Sequence, residues 1–457
     1  MSNSVHQPLL LVTSSNIQTN YLIVPKKFNK LFSENIQKVM MKCGNEKRCI
    51  ALKFVESSDH RLLCHPSVLI DLKLPVTIQT ISCHYCSSTS ELILGPIIGV
   101  VTDIRKDGNY PFPTIEKFSQ ELMMFLQEKA IPVFVYPWSS IKKTKYDGYF
   151  FNGTTWEKVS LPKPHFLYNR IHSRNIMYSK QYKHVLQELK EKDLPLFNTV
   201  YISKWDMYHF FNNTGTLKRY LLDGEQLTSQ QLATFFHQYS TVFLKPIFGS
   251  KGVGIFRVTK RNHSMIIETP ENTIYETNDF NKLWEYLQSK INPNDYIVQE
   301  EIKLIQLDEQ YIDFRVLTNK ITDEKWQITS IVARLSEKGK YITNLAQGGK
   351  KMSPYSLLLK VFGTPQANTI FSLMKELTLS IAYHLNEQLT DQFCELGVDI
   401  GVSSDGKVKL IEINSKPTKN EEKLSTSIRP SAKAIGLFAE YKGTKIMKES
   451  CKCTHSE

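Results

Sequence analysis

The chain has 457 residues, 41% hydrophobic and 11% aromatic, so it can bury several cores, and a globally disordered chain is excluded. Its length alone predicts about three domains. Lysine and arginine outnumber aspartate and glutamate by 57 to 45, a formal net charge of +12 that favours acidic partners such as nucleotides, nucleic acid or an anionic surface. The simpler explanation is a solvated lysine-rich surface, because the lysines are spread along the chain.

No segment is long enough to cross a membrane. The longest apolar run, residues 92–101, is interrupted by Gly95 and Pro96 and is shorter than the roughly 20 residues that a span needs. The first residues lack a basic stretch followed by a long apolar one, so no signal peptide is expected. Eight cysteines in a chain of this length do not make a disulfide scaffold, and a reducing, cytoplasmic setting is expected.

Two short segments contain cysteines at the spacing of metal ligands. The segment CHYC holds Cys83 and Cys86, and the segment CKCTH holds Cys451, Cys453 and His455. A structural zinc site needs two cysteine pairs at suitable spacing, and only one C-x-x-C pair is present. Free thiols are therefore expected in both segments, with structural zinc as the alternative.

Residues 1–94 alternate short apolar runs with turn residues. The runs are CIALKFV, SVLIDLKL, VTIQTIS and ELILG. Runs of this length and composition are typical of strands. They predict a small β-rich N-terminal domain, to which the sequence assigns no chemistry.

The next segment alternates strands with helices. The strand PIIGVVTD precedes a helical pattern over residues 114–130, and the strand IPVFVYPW then leads to YNRIHSR and a second helix. This alternation predicts an α/β layer domain over residues 95–198. In YNRIHSR, the side chains of Arg170, His172 and Arg174 either bind an anionic acceptor or belong to a structural loop.

The third part, residues 199–440, has a mixed α+β pattern. A helix is predicted from Lys204, a strand over residues 241–247 leads into a glycine-rich loop, and a long amphipathic helix covers residues 371–389. The final strands of this domain are ELGVDIGV and VKLIEIN. Residues 441–457 are expected to form a C-terminal tail.

The two final strands form a hairpin whose turn signal is Asp405-Gly406. A two-residue turn at this dipeptide places Asp399 opposite Glu412 and leaves Asn414 opposite a glycine. Like charges directly opposite each other on a sheet repel, so a cation is expected beside the two carboxylates.

The polar residues of this hairpin have the chemistry of hard metal ligands. Strand alternation puts Val408, Leu410, Glu412 and Asn414 on one face, and the two apolar neighbours argue against full exposure of that face. With Asp399, their carboxylate and amide oxygens suit Mg²⁺ that also holds substrate phosphates. The alternative is a solvent-exposed hairpin face with ordinary polar residues.

A glycine-rich loop follows the strand that contains Lys245. The loop residues are Gly249, Ser250, Lys251, Gly252 and Gly254. Glycines let backbone N–H groups approach phosphate oxygens, and lysine adds a positive charge. The loop is neither a Walker A motif nor a dinucleotide fingerprint, and an ordinary hairpin is the alternative. Combined with a magnesium site, the loop favours Mg·ATP as the ligand.

Three further segments place polar residues on or beside apolar strands. The segment IVQEEI, residues 297–302, offers an edge to an adenine ring. The segment IDFRV holds Asp313 and Arg315, and a later segment holds Arg334 and Asn344 before two glycines. A surface salt bridge explains each arginine equally well when it is considered alone.

In this order the motifs resemble the ATP-grasp superfamily. The spacing of Arg334, Asn344 and the Gly-Gly pair is similar to that of the ribosomal-modification glutamate ligase branch. The segments LGPIIGVV, YNRIHSR and SKWDMYHFF narrow the resemblance to the YheC/YheD-like ATP-grasp family, known as endospore coat-associated proteins, over roughly residues 90–435. The resemblance implies an ATP-grasp fold, in which two α+β subdomains grip ATP, preceded by an α/β pre-ATP-grasp domain and the small β-rich N-terminal domain.

The resemblance also implies roles for the residues at matching positions. The ATP-binding residues that it implies are Lys204, Lys245, Gly249, Ser250, Lys251, Gly252, Gly254, Gln299, Glu300, Glu301, Ile302 and Asp313. The catalytic residues that it implies are Lys245, Arg315, Arg334 and Asn344, and the Mg²⁺ ligands are Asp399, Glu412 and Asn414. Residues 299–302 would hold adenine, and Asp313 would face the ribose.

The expected function is that of an Mg·ATP-dependent carboxylate–amine ligase. It would join an amino acid or peptide through an acyl phosphate, in the cytoplasm or in association with the spore. Two alternatives remain, a small-molecule kinase of the same fold and a non-catalytic nucleotide-binding protein of the spore coat. Nucleic acid is disfavoured as a partner, because no recognition helix or interleaved aromatic-basic stripe accompanies the positive charge.

Overall fold

The computed structural model shows a succession of β-sheets along the chain. The residues that it describes are 9–32, 36–104, 112, 114–143, 145–249, 252–261, 264–270, 272–343, 349–389, 393–419 and 428–451. Within these ranges, no helix is both long enough and apolar enough to cross a membrane.

The N-terminal part is a closed β-barrel. Its elements are β1 (Leu9–Thr13), β2 (Tyr21–Pro25), β3 (Lys38–Cys43), β4 (Glu46–Val55), β5 (Arg61–Cys64), α1 (Ser67–Asp71), β6 (Thr80–Cys86) and β7 (Glu91–Leu94). The strands close in the order β1-β5-β2-β4-β3-β7-β6. Alternate residues such as Leu11, Val39 and Met41 are buried in the shared core, and closure removes free strand edges.

One predicted strand of this part, SVLIDLKL, is helical in the structure. Helix α1 follows Pro66, whose φ of −55° suits a helix start, and Val68, Leu69 and Leu72 are buried in the barrel core. Residues three and four apart share one face of a helix. A short apolar run does not distinguish this arrangement from a strand, which is why the sequence prediction was wrong here.

The second part is a six-stranded sheet with helices. Its elements are β8 (Ile98–Thr102), α2 (Glu116–Gln127), β9 (Val133–Pro137), α3 (Trp138–Ile141), β10 (Asp147–Phe151), β11 (Trp156–Ser160), β12 (Phe166–Asn169), α4 (Arg174–Met177), α5 (Lys180–Glu191) and β13 (Leu196–Phe197). The order is β11-β10-β9-β8-β12-β13, and β9, β8, β12 and β13 run parallel. Every residue of β8 and β9 is buried, as in a parallel sheet covered on both faces.

The third part begins with an antiparallel sheet and its helices. The elements are α6 (Lys204–Phe211), α7 (Gly215–Lys218), β14 (Gly224–Gln226), α8 (Ser229–Gln238), β15 (Thr241–Pro246), β16 (Phe256–Arg261), β17 (Ser264–Glu268), β18 (Thr273–Thr277), α9 (Phe280–Lys290) and β19 (Tyr296–Glu300). The order is β14-β19-β15-β16-β17-β18. Val242 and Leu244 pack in a core with α8 and α9, so Phe243 and Lys245 point to the opposite face.

A second antiparallel sheet completes the third part. The elements are β20 (Gln306–Leu307), β21 (Gln310–Thr322), β22 (Lys325–Leu335), β23 (Lys350–Met352), α10 (Pro354–Phe362), α11 (Thr364–Gln388), β24 (Glu395–Val402), β25 (Val408–Asn414) and α12 (Pro430–Ser450). The main strands follow the order β23-β22-β21-β24-β25. Phe314, Val316 and Val398 share a core with Met374 of α11, so the neighbouring residues of β21 and β24 face away from that helix.

Helix α12 connects the last sheet to the second part. It contacts β21 and α2, and Phe438 packs against Phe166 and Phe197 with ring centroids 5.8 and 4.9 Å apart. The helix continues to Ser450, past residue 441, where the tail was expected to begin. Its buried side chains extend the helical pattern to Met447, so the expected boundary divides one continuous element.

Candidate functional site

The final hairpin pairs the two carboxylates that the sequence assigned to a metal. Asp399 of β24 lies directly opposite Glu412 of β25, and Asn414 lies opposite Gly397. The structure therefore confirms the predicted pairing and brings the three oxygen-bearing side chains together.

The turn that precedes this pairing is longer than expected. Ser403 N donates to Lys407 O at 2.9 Å, so the turn spans Ser404 to Gly406 and the first strand pairs are offset by one residue. A bulge at Ile411 removes the offset before Asp399 is reached. The longer turn shifts the strand pairing by one residue, and the bulge shifts it back. Asp399 therefore pairs with Glu412 as predicted.

The bulge also reverses the faces of β25. Val408 and Leu410 are buried in the core that α11 covers, whereas Glu412 and Asn414 lie on the opposite face. The expectation that these four residues share one face is wrong, because the extra residue at Ile411 shifts the strand alternation. The burial of Val408 and Leu410 is therefore no measure of how exposed Glu412 is.

Two arginines neutralise the buried carboxylates of Asp313 and Asp399. Arg315 donates to both oxygens of Asp399, with Nη2 2.9 Å from Oδ2. Arg334 donates to both oxygens of Asp313 at 2.7 and 2.6 Å, and its Nη2 lies 3.2 Å from Asp399 Oδ2. These four side chains form a continuous ionic row across β22, β21 and β24, and none is more than 8% exposed.

The two aspartates differ in acidity. Burial raises the pKa of Asp313 above its usual value, and Arg334 offsets only part of this effect. Burial also acts on Asp399, but Arg315 and Arg334 together lower its pKa. Thr343 donates to Asp313 Oδ2 at 2.5 Å, so both oxygens of Asp313 accept protein hydrogen bonds. Asp313 thus orients Arg334, and the ribose contact that the family resemblance implied for it stays a prediction.

Lys204 supplies a cation to the open end of this row. It is the first residue of α6, which begins with a capping box of Ser203 and Asp206. Its Nζ lies 3.0 Å from Glu412 Oε2. The Glu412 side chain is 24% exposed, so it is more accessible than Asp399.

The oxygen donors on this face have the chemistry that magnesium prefers, but Arg315 already donates to both oxygens of Asp399. Asn414 Nδ2 donates to Asp399 Oδ2 at 3.3 Å, so this hydrogen bond uses the amide nitrogen of Asn414 and not its oxygen. Magnesium is commonly held by one or two carboxylates together with phosphate oxygens and water. Across the described ranges no group of three His, Cys, Asp or Glu side chains that could hold a metal ion occurs, and the Mg²⁺ site at this hairpin stays a prediction.

Lys245 of β15 faces the same space from the other sheet. Its Nζ donates to Gln299 Oε1 at 2.5 Å and lies 5.2 Å from the centre of the Phe243 ring. Burial and the positive charge of Lys204 lower the pKa of Lys245 to about 8. Gln299 donates in turn to Tyr208 Oη at 2.6 Å. The Gln299 side chain therefore positions Lys245, and its expected contact with adenine stays a prediction.

The chain passes between the two sheets through residues 300–302. Glu300 accepts a hydrogen bond from Asp223 N at 2.9 Å, and Glu301 pairs with Arg257 at 2.9 Å. Both glutamate side chains are thus engaged within the protein. A cavity of about 420 Å³ borders Glu301 and Ile302, and this segment remains the candidate edge for adenine.

The glycine loop connects β15 to β16. Gly252 and Gly254 adopt φ angles of 74° and 75°, which only glycine adopts without strain. Arg174 donates to the carbonyl oxygens of Phe248 and Gly249, the latter at 3.3 Å. One arginine of YNRIHSR is therefore tied to the start of the predicted phosphate loop.

Several predicted site residues lie outside the described residues. They are Ser250, Lys251 and Asn344, together with Cys453 and His455 of the CKCTH segment.

Arg170 belongs to a buried ionic cluster and not to an anion-binding surface. Its side chain is 1% exposed, its Nη1 lies 3.4 Å from Glu395 Oε2, and its Nη2 donates to Pro417 O at 2.9 Å. Glu395 also accepts from Tyr168 Oη at 2.6 Å and pairs with Lys419. Sequence reasoning missed Glu395, because one acid before an apolar strand carries no spacing signal.

Sequence reasoning also missed Tyr341, which reaches from the second sheet to the first. Its ring lies 5.4 Å from the Phe243 ring and 5.8 Å from the Arg257 guanidinium carbon, and its hydroxyl donates to Glu268 O at 3.2 Å. A tyrosine in a polar segment gives no sign of such a contact. Its proximity to Asn344 in sequence is the one signal that could have suggested it.

The described site therefore combines lysines, arginines and oxygen donors between two α+β units. Comparison with known protein families finds a match to the YheC/D-like ATP-grasp sequence profile over residues 193–441, more than half of the chain. The chain belongs to the YheC/D-like ATP-grasp family. Its last two sheets are thus the two subdomains of the ATP-grasp fold, as the sequence motifs predicted.

Two curated relatives come from Bacillus subtilis (strain 168). Endospore coat-associated protein YheD is 26% identical over 337 residues, which covers 72% of this chain and 74% of the relative. Endospore coat-associated protein YheC is 23% identical over 310 residues, covering 65% of this chain and 85% of the relative. A solved D-alanyl-alanine synthetase A from Vibrio cholerae O1 biovar eltor is 12% identical, covers 79% of this chain and 98% of its own, and has a TM-score of 0.42. The assignment of the ATP-grasp fold rests on the family match over residues 193–441.

Proposed function

We propose that this ATP-grasp protein is a ligase that uses Mg·ATP to join a carboxylate to an amine through an acyl phosphate. The observation that supports the proposal is the convergence of Lys204 and Lys245 with the oxygen donors Asp399, Glu412 and Asn414. Lysines suit phosphate oxygens, and the donors suit a magnesium ion between those phosphates. A purely structural protein has no need of this combination.

ATP would lie between the two subdomains. Lys204 and Lys245 would bind its phosphates beneath the loop from Gly249 to Gly254, and the backbone at Glu301 and Ile302 would hold adenine. Gln299 keeps the Lys245 ammonium directed into the cleft. Asp313 acts indirectly, because it orients Arg334.

The protein's charges would favour transfer of the γ-phosphoryl group. Magnesium held by the hairpin oxygens would neutralise phosphate charge. The donor carboxylate attacks the γ-phosphorus and ADP leaves, and the amine then attacks the acyl phosphate and releases phosphate. Arg315 and Arg334 are held by buried carboxylates, and in this proposal they would face the negative charge that develops during transfer. This reaction requires no protein nucleophile.

The names of the relatives support a second proposal about location. YheC and YheD are named endospore coat-associated proteins, and we propose the same association for this chain. A non-catalytic role in the coat and a kinase acting on a hydroxyl group remain the competing functions.

A trapping assay tests the ligase proposal. The protein is incubated with Mg·ATP, hydroxylamine and pooled amino acids, short peptides and dicarboxylates, and ADP and hydroxamate are measured together. We expect hydroxamate that depends on one carboxylate and disappears in Glu412→Ala. The control Glu276→Ala removes an exposed glutamate of β18 and should leave the yield unchanged.

Two other results of these measurements would favour the kinase or the coat protein over the ligase. Release of ADP with phosphorylation of a hydroxyl compound and no hydroxamate would establish a kinase instead. Absence of nucleotide binding in calorimetry, with a folded protein, would leave the coat role and refute the ligase.

A further inference from the structure

Two cysteines that are 365 positions apart in sequence meet at one place in the structure. Cys86 ends β6 of the barrel, and Cys451 directly follows α12. Cys86 Sγ lies 3.9 Å from Cys451 O, and the Ser88 hydroxyl contacts Cys86 Sγ at 3.2 Å and donates to Cys451 O at 2.9 Å. Cys86, Met447 and Cys451 pack together in a small apolar cluster with Ile93.

The two thiols interact directly. The Cys451 thiol donates to Met447 O at 3.5 Å, and its contact with the Cys86 side chain shifts the pKa of both thiols. Burial raises the pKa of Cys86, but hydrogen bonds from Cys451 and Ser88 outweigh it and lower the pKa to about 7. Burial and the bond to Cys86 raise the pKa of Cys451 to about 12. One sulfur is thus prepared as a thiolate beside another that keeps its proton.

The other cysteines within the described residues lack this environment. Cys43, Cys64 and Cys83 are buried in the barrel core, where burial raises the pKa of all three thiols. Cys394 donates to Asn198 Oδ1 at 3.2 Å, and Cys49 is exposed. Cys83 and Cys86, although both belong to CHYC, lie in different clusters and do not form one ligand pair.

A disulfide fits this pair better than a metal does. A structural zinc ion takes four ligands, whereas the described residues contain no cluster of three His, Cys, Asp or Glu side chains. Two adjacent sulfurs, one of them activated, are the requirement for a disulfide.

We propose that Cys86 and Cys451 form a peroxide-responsive disulfide that fastens the barrel to the end of α12. The Cys86 thiolate attacks hydrogen peroxide, breaks the O–O bond and becomes a sulfenic acid, with release of hydroxide. The Cys451 thiol then attacks the Cys86 sulfur, and the sulfenic oxygen leaves as water with the thiol proton. The two sulfurs lose two electrons in total, and peroxide gains them.

A disulfide between Cys86 and Cys451 would link the barrel to α12, the helix that contacts the second and third parts of the protein. This helix packs on α2 of the second part and on β21 of the nucleotide-binding part. Oxidation would therefore join the barrel covalently to the helix that holds the other two parts together. The proposal is independent of the ligase function.

The test uses the full-length protein, reduced and then treated with hydrogen peroxide. Peptide mapping without reductant should find the Cys86 peptide joined to the Cys451 peptide, and dithiothreitol should reverse the link. In Cys451→Ser, dimedone should label Cys86, because its sulfenic acid has no thiol to capture it. Cys86→Ser should abolish the link, whereas the controls Cys49→Ser and Cys453→Ser should keep it.

Other outcomes would overturn the proposal. A link from Cys86 to Cys453, or labelling of Cys49 with Cys86 unmodified in both the wild-type protein and Cys451→Ser, would show that the observed proximity does not direct the chemistry. Bound zinc that must be removed with a chelator before Cys86 reacts would establish a metal site instead. Matching melting temperatures of the reduced variants exclude misfolding as the cause of a lost link.

Discussion

Arg334 is the residue on which the ionic row depends, because one guanidinium serves both Asp313 and Asp399. Two carboxylates buried this close repel each other unless a cation lies between them. The sequence identified all three residues but assigned Asp313 to the ribose. Their mutual pairing could not be predicted, because it depends on which residues of β21, β22 and β24 fall side by side.

Replacement of Arg334 by methionine should lower the free energy of unfolding by about 3–5 kcal/mol, because it leaves the buried carboxylate of Asp313 without its cation. The double variant Arg334→Met/Asp313→Asn should recover part of that loss, since one uncompensated charge is removed. Urea unfolding followed by circular dichroism measures both. If the single and double variants are equally unstable, the proposed stabilising interaction between Arg334 and Asp313 is contradicted.

Lys245 should make nucleotide affinity depend on pH. The pKa of its ammonium is lowered to about 8 by burial and by Lys204, so the group is charged below that pH and neutral above it. Bound phosphate favours the charged form and raises the pKa in the complex. Affinity for Mg·ATP should therefore weaken as pH rises from about 8 towards the pKa of the complex.

Calorimetric titration at several pH values checks this dependence. The variant Lys245→Arg keeps its charge throughout the range, so its affinity should change much less with pH. A wild-type affinity that stays constant between pH 7 and 10 would show that the Lys245 charge does not contribute to binding.

At the scale of elements, the final hairpin shows what a sequence can and cannot specify. The dipeptide Asp405-Gly406 predicted the position of the turn. The strand pattern predicted that Asp399 and Glu412 lie opposite each other. The turn length and the bulge at Ile411 both depend on how β25 packs against α11 and β24. Local residue preferences contain no such information. The sequence therefore predicted the pairing of Asp399 with Glu412 correctly, but it placed Val408 and Leu410 on the wrong face of β25.

The contact between α4 and the glycine loop is a second feature that depends on how elements pack together. Arg174 holds two successive carbonyl groups at the start of the loop, and the Tyr178 ring lies 5.4 Å from the Phe248 ring. Carbonyl groups fixed on one side favour N–H groups directed to the other side, where phosphate would lie. We propose that YNRIHSR contributes to the site through this loop, by way of Arg174.

Arg174→Ala should weaken Mg·ATP binding several-fold and increase protease cleavage within residues 248–254. Arg174→Lys should recover little, because a lysine ammonium does not reproduce the planar two-donor geometry. Arg219→Ala removes an exposed arginine of similar size and serves as the control. Unchanged affinity and unchanged cleavage in Arg174→Ala would refute a positioning role.

At the scale of the whole molecule, the sequence predicted the succession of β-rich, α/β and α+β parts but not how they are joined. The motifs predicted to bind phosphate and metal each lie in a short stretch of sequence, such as the hairpin from Asp399 to Asn414, and are visible in one sequence. The junctions use isolated residues from distant segments, such as Tyr168, Glu395 and Lys419. Such residues have no periodicity or spacing, and only their packing shows that they belong together.

Glu395 connects the second part to the last sheet, and its charge should contribute strongly to stability. Burial raises its pKa, but Lys419 and Arg170 outweigh that effect and lower it below the usual 4.5. The stabilisation is therefore complete above about pH 4.5 and is lost as pH falls through the lower folded-state value. Glu395→Gln keeps the shape but removes the negative charge that Arg170 and Lys419 share.

We therefore expect Glu395→Gln to lose about 3–5 kcal/mol of unfolding free energy at pH 7, and less as the pH falls below 4.5, where the wild-type carboxylate also loses its charge. Urea midpoints at pH 7 and in acid measure the difference, with the exposed Glu276→Gln as the control. A difference that is the same at both pH values would mean that the shape of the Glu395 side chain, and not its charge, holds the two parts together.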